Sequence, residues 1–328
     1  LQQKEGVLEE MGNVRKLIRA MADTLVRIQQ LVDWLEEVGG TIEDRTNVYQ
    51  MITTMHGRAV ALAERLTDPI TQAREIFKEI GVPMAEIKKY LIAAHAHERN
   101  KYFVEQQEAI GDTPEWQRRV RGKTFDYEAG AASGMSSAEA AETLKAWEHE
   151  PRMKQAADLV AKANRRAMQA RMRAGLVSKE DGQMLLDRWQ HYIPLFNEEV
   201  DSERERWTPR SAGFRVTGGD INVARGRLGD TWEEVANPLA SSAAQIMHAA
   251  HRIEKNRVGN ALIDLFEANR GLITYTEEEV EEGAIKPDHT FTVKRNGKEI
   301  AIGVDADIER AMANMDVESL PKWIAKWV

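Results

Sequence analysis

Apolar residues recur every three or four positions along most of this chain, and this spacing predicts amphipathic helices. This spacing changes only near the C-terminal end. There, apolar and polar residues at positions 290–304 alternate with a period of two, which is typical of strands. The predicted helices cover residues 5–37, 41–66, 68–80, 83–109, 136–150, 151–174, 178–189 and 238–269.

Capping residues mark several of these helix boundaries. Ser136 and Ser178 each stand three residues before an acidic residue, the pattern in which a serine side chain satisfies the first backbone donors. Proline at a first helical position predicts starts at Pro69, Pro151 and Pro238. Since Pro69 also lacks a backbone donor, we expect the helix before it to end there.

Residues 290–304 predict a β-hairpin. Asn296-Gly297 lies between two alternating runs, and this dipeptide favours the type I′ turn that joins antiparallel strands. Two strands alone are marginally stable, so the hairpin must pack on helices or recruit further strands. The sequence therefore predicts a mainly α fold, an elongated multi-helix array with a small C-terminal β-hairpin.

The pattern also predicts three regions along the chain. Residues 1–196 form a helical domain with a loop excursion at 111–136, and residues 197–229 form an irregular linker rich in Arg. Residues 230–328 contain the long helix, the hairpin and short helices. The chain starts with Leu1 and stops within a helical pattern, so we interpret it as a fragment of a longer polypeptide, truncated at the C-terminus.

The amino-acid composition excludes several kinds of functional site. The 328 residues include no cysteine, which excludes disulfides, thiolate nucleophiles and cysteine-based metal sites. No apolar run approaches the roughly 18 residues of a membrane span. The formal net charge is −8, so any contact with nucleic acid must be local.

Two basic stretches are candidates for such a contact, one in the 111–136 loop and one along the helix at 151–174. The alternative for each is a solvated surface, neutralised on the helix by acidic neighbours. The candidate phosphate or acidic-partner residues are Arg118, Arg119, Arg121, Lys123, Lys162, Arg165, Arg166, Arg171 and Arg173.

The sequence assigns no catalytic, cofactor-binding or metal-binding residue. His95 and His97 are two positions apart and point to different sides of their helix. His248, His251 and Glu254 come nearer to a metal arrangement, but His248 and Glu254 lie about 240° apart around the helix. Neither a zincin motif nor a phosphate-binding loop occurs.

Three short motifs occur in a fixed order. They are Tyr-Leu-Ile-Ala-Ala-His-Ala-His-Glu-Arg-Asn at 90–100, Ser-Gly-Met-Ser-Ser-Ala-Glu-Ala at 133–140, and His-Tyr-Ile-Pro-Leu at 191–195. With residues 254–259 and the hairpin, this set resembles one long region of the polyvalent proteins, very large multidomain proteins of tailed bacteriophages, prophages and plasmids. The resemblance covers about residues 45–315. We interpret the polar motif residues as structural: His95, His97, Arg99, Asn100, His191, Tyr192 and Pro194.

The resemblance implies a non-enzymatic scaffold or interaction module of a protein that is carried in the virion and enters the host with the DNA. Its partners would be other domains of the same chain and other virion proteins, with DNA as a further candidate, and oligomerisation stays open. One alternative is a nucleic-acid-contacting module beside an enzyme domain such as a virion RNA polymerase. Another is part of a cell-wall-degrading transglycosylase, which would need a catalytic Glu in a cleft.

Overall fold

A computed structural model describes most of the helical part of the chain and the hairpin. The described residues are 26, 28–37, 40, 42–111, 113, 114, 116, 133–195, 216, 231–269, 290–304, 308 and 312. The helices are α1 (Val48–Glu79), α2 (Met84–Ile110), α3 (Ser137–Ala146), α4 (Pro151–Arg173), α5 (Lys179–Arg188) and α6 (Pro238–Ala268). Residues 28–37 are also helical, and a 3-10 turn spans Trp232–Glu234. The strands are β1 (Thr290–Arg295) and β2 (Lys298–Gly303). The prediction of a mainly α fold with a small C-terminal hairpin is confirmed.

The predicted serine caps begin two of these helices. Ser136 Oγ accepts the backbone N–H of Glu139 at 3.0 Å, and Ser178 Oγ accepts that of Asp181 at 2.9 Å. Each bond satisfies one of the four backbone donors that a helix start leaves without an internal partner. The position of α3 and α5 in the chain is therefore set by local chemistry.

Helix α1 differs from the prediction, because it continues through Pro69. Asn47 caps it, accepting the backbone N–H of Gln50 at 3.0 Å. Pro69 removes one helical hydrogen bond, but Leu66, Pro69 and Ile70 are all buried, so the helix packs on the core on both sides of the proline. Tertiary packing here outweighs the local preference for a break.

The core forms where α1, α4 and α6 pack together. Several alanines of α4 are buried, including Ala156, Ala163 and Ala167, and these small side chains let neighbouring helices approach closely. Helix α6 has buried residues on almost every side. One hydrophobic cluster therefore contains residues from both sides of the predicted linker at 197–229, of which the structure describes only Val216.

The hairpin has the predicted antiparallel register, with Arg295 opposite Lys298 and Asn296-Gly297 between them. Asn296 (φ 49°) and Gly297 (φ 79°) are both left-handed, as a type I′ turn requires. The turn lies against the connection between α4 and α5, where the Gly297 N–H donates to the Gly175 carbonyl at 2.9 Å. Strand β1 packs on α6, so the helices supply the support that two isolated strands would lack.

Candidate functional site

The first two sequence motifs meet at Asn100 on α2. This fully buried side chain donates from Nδ2 to the Met135 carbonyl at 3.0 Å and to Ser137 Oγ at 3.2 Å. Ser133 Oγ donates to Asn100 Oδ1 at 3.2 Å. The amide of Asn100 thus fixes the start of α3 on α2.

The third motif meets the first through Glu98 and His191. His191 Nδ1 donates to Glu98 Oε1 at 2.8 Å, and the backbone N–H of His191 lies 3.2 Å from each carboxylate oxygen. His95 Nδ1 is 3.7 Å from Glu98 Oε2, which is too long for an ordinary hydrogen bond. Because Glu98 accepts from both the ring and the backbone of His191, the imidazole is held in one orientation.

The pKa values of this cluster shift in opposite directions. Burial opposes ionisation of Glu98, but the hydrogen bonds from the ring and backbone of His191, together with the nearby His95 ring, outweigh it and lower the pKa of Glu98 to about 2. The hydrogen bond to Glu98 raises the pKa of His191. Burial lowers the pKa of His95, which favours its neutral form. The arrangement therefore favours an ion pair between Glu98 and His191 beside a neutral His95.

The other motif residues support this cluster. His95 is fully buried, with its ring edge-on to Trp189 at 5.4 Å and to Tyr192 at 5.7 Å between centroids. Pro194 is buried, and Arg99 lies over the Phe103 ring at 5.7 Å. His97, in contrast, points to solvent. All of the motif residues except His97 therefore contribute to packing around one region.

Outside this packed region, His191 borders an open groove on the surface of α4. The groove has a volume of about 380 Å³, and His191 Nε2 faces it, 3.8 Å from Asp158 Oδ1. The groove is lined by Asp158, Ala161, Lys162, Arg165, Arg166, Gln169, Gln190 and His191.

The basic residues of α4 divide into a neutralised end and an unpaired end. At the N-terminal end Arg152 pairs with Glu150 at 2.6 Å, and Lys154 pairs with Asp158 at 2.6 Å. In the groove, Arg165 donates to the Gln190 Oε1 atom at 3.0 Å. Within the described part of the chain, Lys162, Arg165 and Arg166 form no ion pair with a carboxylate. A surface anion would therefore meet three cations here.

Two further predicted basic residues lie elsewhere on α4. Arg173 is exposed, and its Nε donates to the Gln169 carbonyl at 3.3 Å. Arg171 is not on the basic surface, because nine residues at 3.6 per turn place it about 180° from Lys162. Its Nε atom is buried on the side of α4 that packs on α6. The predicted loop residues Arg118, Arg119, Arg121 and Lys123 lie outside the described residues.

Sequence reasoning did not single out Glu98, Asp158 or Gln190. The three-residue spacing of His95 and Glu98 indicates a shared helix side, which is a usable local signal. The partner of Glu98, His191, is 93 residues away in the chain. No periodicity predicts that contact, because it depends on how α2 packs beside the end of α5.

The described residues contain no cluster of three or more His, Cys, Asp or Glu side chains arranged to hold a metal ion. Glu254, which the sequence places near His248 and His251, instead accepts from Arg58 Nε at 2.9 Å and from Arg257. Across the helices that the structure describes, none is both long enough and apolar enough to cross a membrane. Comparison of the chain with protein-family models, with curated proteins and with solved structures gives no match.

Proposed function

We propose that this chain is a non-catalytic helical interaction module that contacts the phosphate backbone of nucleic acid through the groove on α4. The observation that carries the proposal is the grouping of Lys162, Arg165 and Arg166 along one groove without a carboxylate partner among the described residues. Phosphate is the anion that planar guanidinium groups bind best, since they donate two parallel hydrogen bonds.

The charge distribution supports contact with the backbone rather than reading of bases. The net charge is −8, so the acidic remainder repels nucleic acid and leaves the groove as the favoured point of approach. Lys162 is exposed and Arg165 and Arg166 are half-buried, with aliphatic stems packed on the helix. Such cations bind phosphates of any sequence with modest affinity.

The test is the binding of a labelled DNA duplex, followed by fluorescence anisotropy at low salt. The variant combines Lys162→Gln, Arg165→Gln and Arg166→Gln. The control combines Arg65→Gln, Lys78→Gln and Lys145→Gln, which removes the same charge at exposed helix positions outside the groove. We expect the groove variant to weaken binding by about tenfold or more and the control by about twofold. Equal weakening, or no binding by the unchanged chain, contradicts the proposal.

The wider setting that we propose is a very large phage protein that is carried in the virion and enters the host cell with the DNA. It rests on the resemblance of the ordered motifs at 90–100, 133–140 and 191–195 to the helical region of polyvalent proteins. Peptide mass spectrometry of purified particles, combined with the mass of the parent chain, tests it. Peptides from this chain within a much larger virion protein support the setting, and their absence from particles contradicts it.

A second candidate function is general acid–base chemistry at His191. Glu98 holds the ring by Nδ1, so that Nε2 faces the groove beside the cations, as a catalytic base requires. In RNA cleavage, the neutral form of His191 would take the proton of a ribose 2′-hydroxyl at Nε2 as that oxygen attacks the adjacent phosphorus. The resulting imidazolium, which Glu98 stabilises, would return the proton to the departing 5′-oxygen. The test is mass analysis of an RNA oligonucleotide after incubation. Products that disappear in His191→Gln favour this candidate, and intact RNA with the unchanged chain removes it.

A further inference from the structure

Two arginines lie together between α4 and α6, on the side of α4 opposite the groove. Arg171 and Arg252 are each half-buried, and the Nε atom of each is buried without a hydrogen-bond partner in the part of the chain that the structure describes. In the same interface, the Oδ1 atom of Asn164 on α4 is also buried without a hydrogen-bond partner among the described residues. Asn164 donates to Ser242 Oγ at 3.2 Å on one side, and Asn256 donates to the Ala174 carbonyl at 2.8 Å on the other.

The charge of Arg171 affects the pKa of Arg252. Burial and, after it, the charge of Arg171 lower the pKa of Arg252 to about 10. Burial also lowers the pKa of Arg171. Both groups are nevertheless cationic at neutral pH, so two like charges lie near one another in a partly buried position.

No carboxylate among the described residues compensates these charges. Neither Arg171 nor Arg252 forms an ion pair there. The buried carboxylate of Glu254, two positions after Arg252, is already bound by Arg58 and Arg257. A buried donor that is left without a hydrogen bond costs free energy, and the like charge of the second arginine increases that cost. An anion between the two guanidiniums would remove it.

We propose that Arg171 and Arg252 bind a small oxyanion, a phosphate or a phosphomonoester group, between α4 and α6. Two planar guanidinium groups can each donate a pair of parallel N–H bonds, which matches the several acceptor oxygens and double charge of phosphate. The site is separate from the groove, because Arg171 lies about 180° around α4 from Lys162. It is therefore independent of the proposed nucleic-acid contact.

The test is calorimetric titration of the full chain with inorganic phosphate, at constant ionic strength set with chloride. The variants are Arg171→Gln and Arg252→Gln, and the matched control is Arg173→Gln, an exposed arginine on the same helix. We expect one saturable phosphate per chain, weakened about tenfold or more by each variant and by at most about twofold in the control. The triple groove variant, which removes the weaker surface contacts, should retain the one saturable phosphate per chain.

Several results would overturn the site. One is the absence of saturable heat up to about 10 mM phosphate, a range that covers weak specific binding. Equal weakening by Arg173→Gln is another. If neither glutamine variant folds, Arg252→Lys keeps the charge but lacks the planar fork, and unchanged phosphate affinity in that variant contradicts the proposal. A parallel titration with glycerol phosphate distinguishes free phosphate from a phosphomonoester.

Discussion

Asn256 on α6 hydrogen-bonds the backbone of Lys294 on β1 through both ends of its amide. Nδ2 donates to the Lys294 carbonyl and Oδ1 accepts the Lys294 N–H, each at 2.8 Å. Nδ2 also donates to the carbonyl of Ala174, at the end of α4, at 2.8 Å. The fully buried Asn256 side chain therefore makes the two backbone hydrogen bonds that a neighbouring strand would make with Lys294, and it joins the hairpin to two helices.

Replacing Asn256 with Ala should release the hairpin. The change removes three hydrogen bonds. It leaves the Lys294 N–H without its partner, at a cost of about 1–3 kcal/mol, while the Lys294 carbonyl keeps the longer bond from Asn260 Nδ2 at 3.3 Å. We expect a loss of about 2–4 kcal/mol in the free energy of unfolding, measured by urea denaturation. His248→Ala, at an exposed position of the same helix, should change it by about 0.5 kcal/mol or less. Similar losses in both variants would show that the amide has no special role.

Two glycines should respond to alanine in opposite directions. Gly297 has φ 79°, and an added Cβ would lie 2.6 Å from the Ser178 backbone nitrogen, so Gly297→Ala should destabilise the chain by about 1–3 kcal/mol. Gly57 lies within α1 with nothing within 4 Å of an added Cβ. Gly57→Ala should stabilise the chain by about 0.5–1 kcal/mol. Thermal unfolding of both variants tests the pair, and a stabilising Gly297→Ala would mean that the turn does not dock on α5 as described.

The Glu98–His191 pair should make stability depend on pH in two directions. The folded pKa of Glu98 is lowered to about 2, so its contribution is present above its ordinary pKa near 4.3 and is lost as pH falls toward 2. The pKa of His191 is raised, so its contribution is complete below about 6.5 and is lost as pH rises through the folded value. The pair therefore contributes most between about pH 4.5 and 6.5.

Glu98→Gln is the variant that measures this contribution. The difference in free energy of unfolding between the unchanged chain and Glu98→Gln should be largest in that pH window and smaller on both sides. Glu105→Gln, on the exposed side of the same helix, serves as the control and should give a small difference at every pH. A Glu98→Gln difference that does not vary with pH would contradict the assigned ion pair.

The salt dependence of DNA binding should reflect the number of groove cations that contact phosphates. Three phosphate contacts predict a slope of about −2.7 for the logarithm of the binding constant against the logarithm of salt concentration. Arg166→Gln should make that slope shallower by about 0.9, because one fewer counterion is released. Arg65→Gln, away from the groove, should leave it unchanged. A slope near zero in the unchanged chain would mean that binding does not involve the phosphates.

Local chemistry explains the parts of the fold that the sequence predicts well. Ser136 and Ser178 each cap a helix by accepting a backbone N–H that lies only three residues further along the chain. Asn296-Gly297 fixes the hairpin register because both residues adopt the left-handed backbone conformation of the turn. Pro69 shows the limit, since the burial of its neighbours overrides the local signal for a break. Local signals are reliable where no long-range packing opposes them.

The candidate site was less predictable, because its residues come from distant parts of the chain. The basic residues of the groove are visible in the sequence, whereas the contact of Glu98 with His191 is not. Arg171 could have been separated from the basic surface, because it lies two turns after the buried Asn164 and faces the same side of α4. A list of basic residues does not show that Arg171 and Lys162 lie on opposite sides of α4. The angular position of each residue around the helix does show it.

The buried amide of Asn100 also has a consequence for how such a chain can diverge. Asn100 holds Ser133 and Met135 on α2. These contacts bring two parts of the chain together whatever the number of residues between them. Each doubling of a flexible loop adds only about 0.6 kcal/mol to the cost of closing it. The contacts of Asn100 with Ser133 and Met135 should therefore tolerate changes in the number of residues that separate them along the chain.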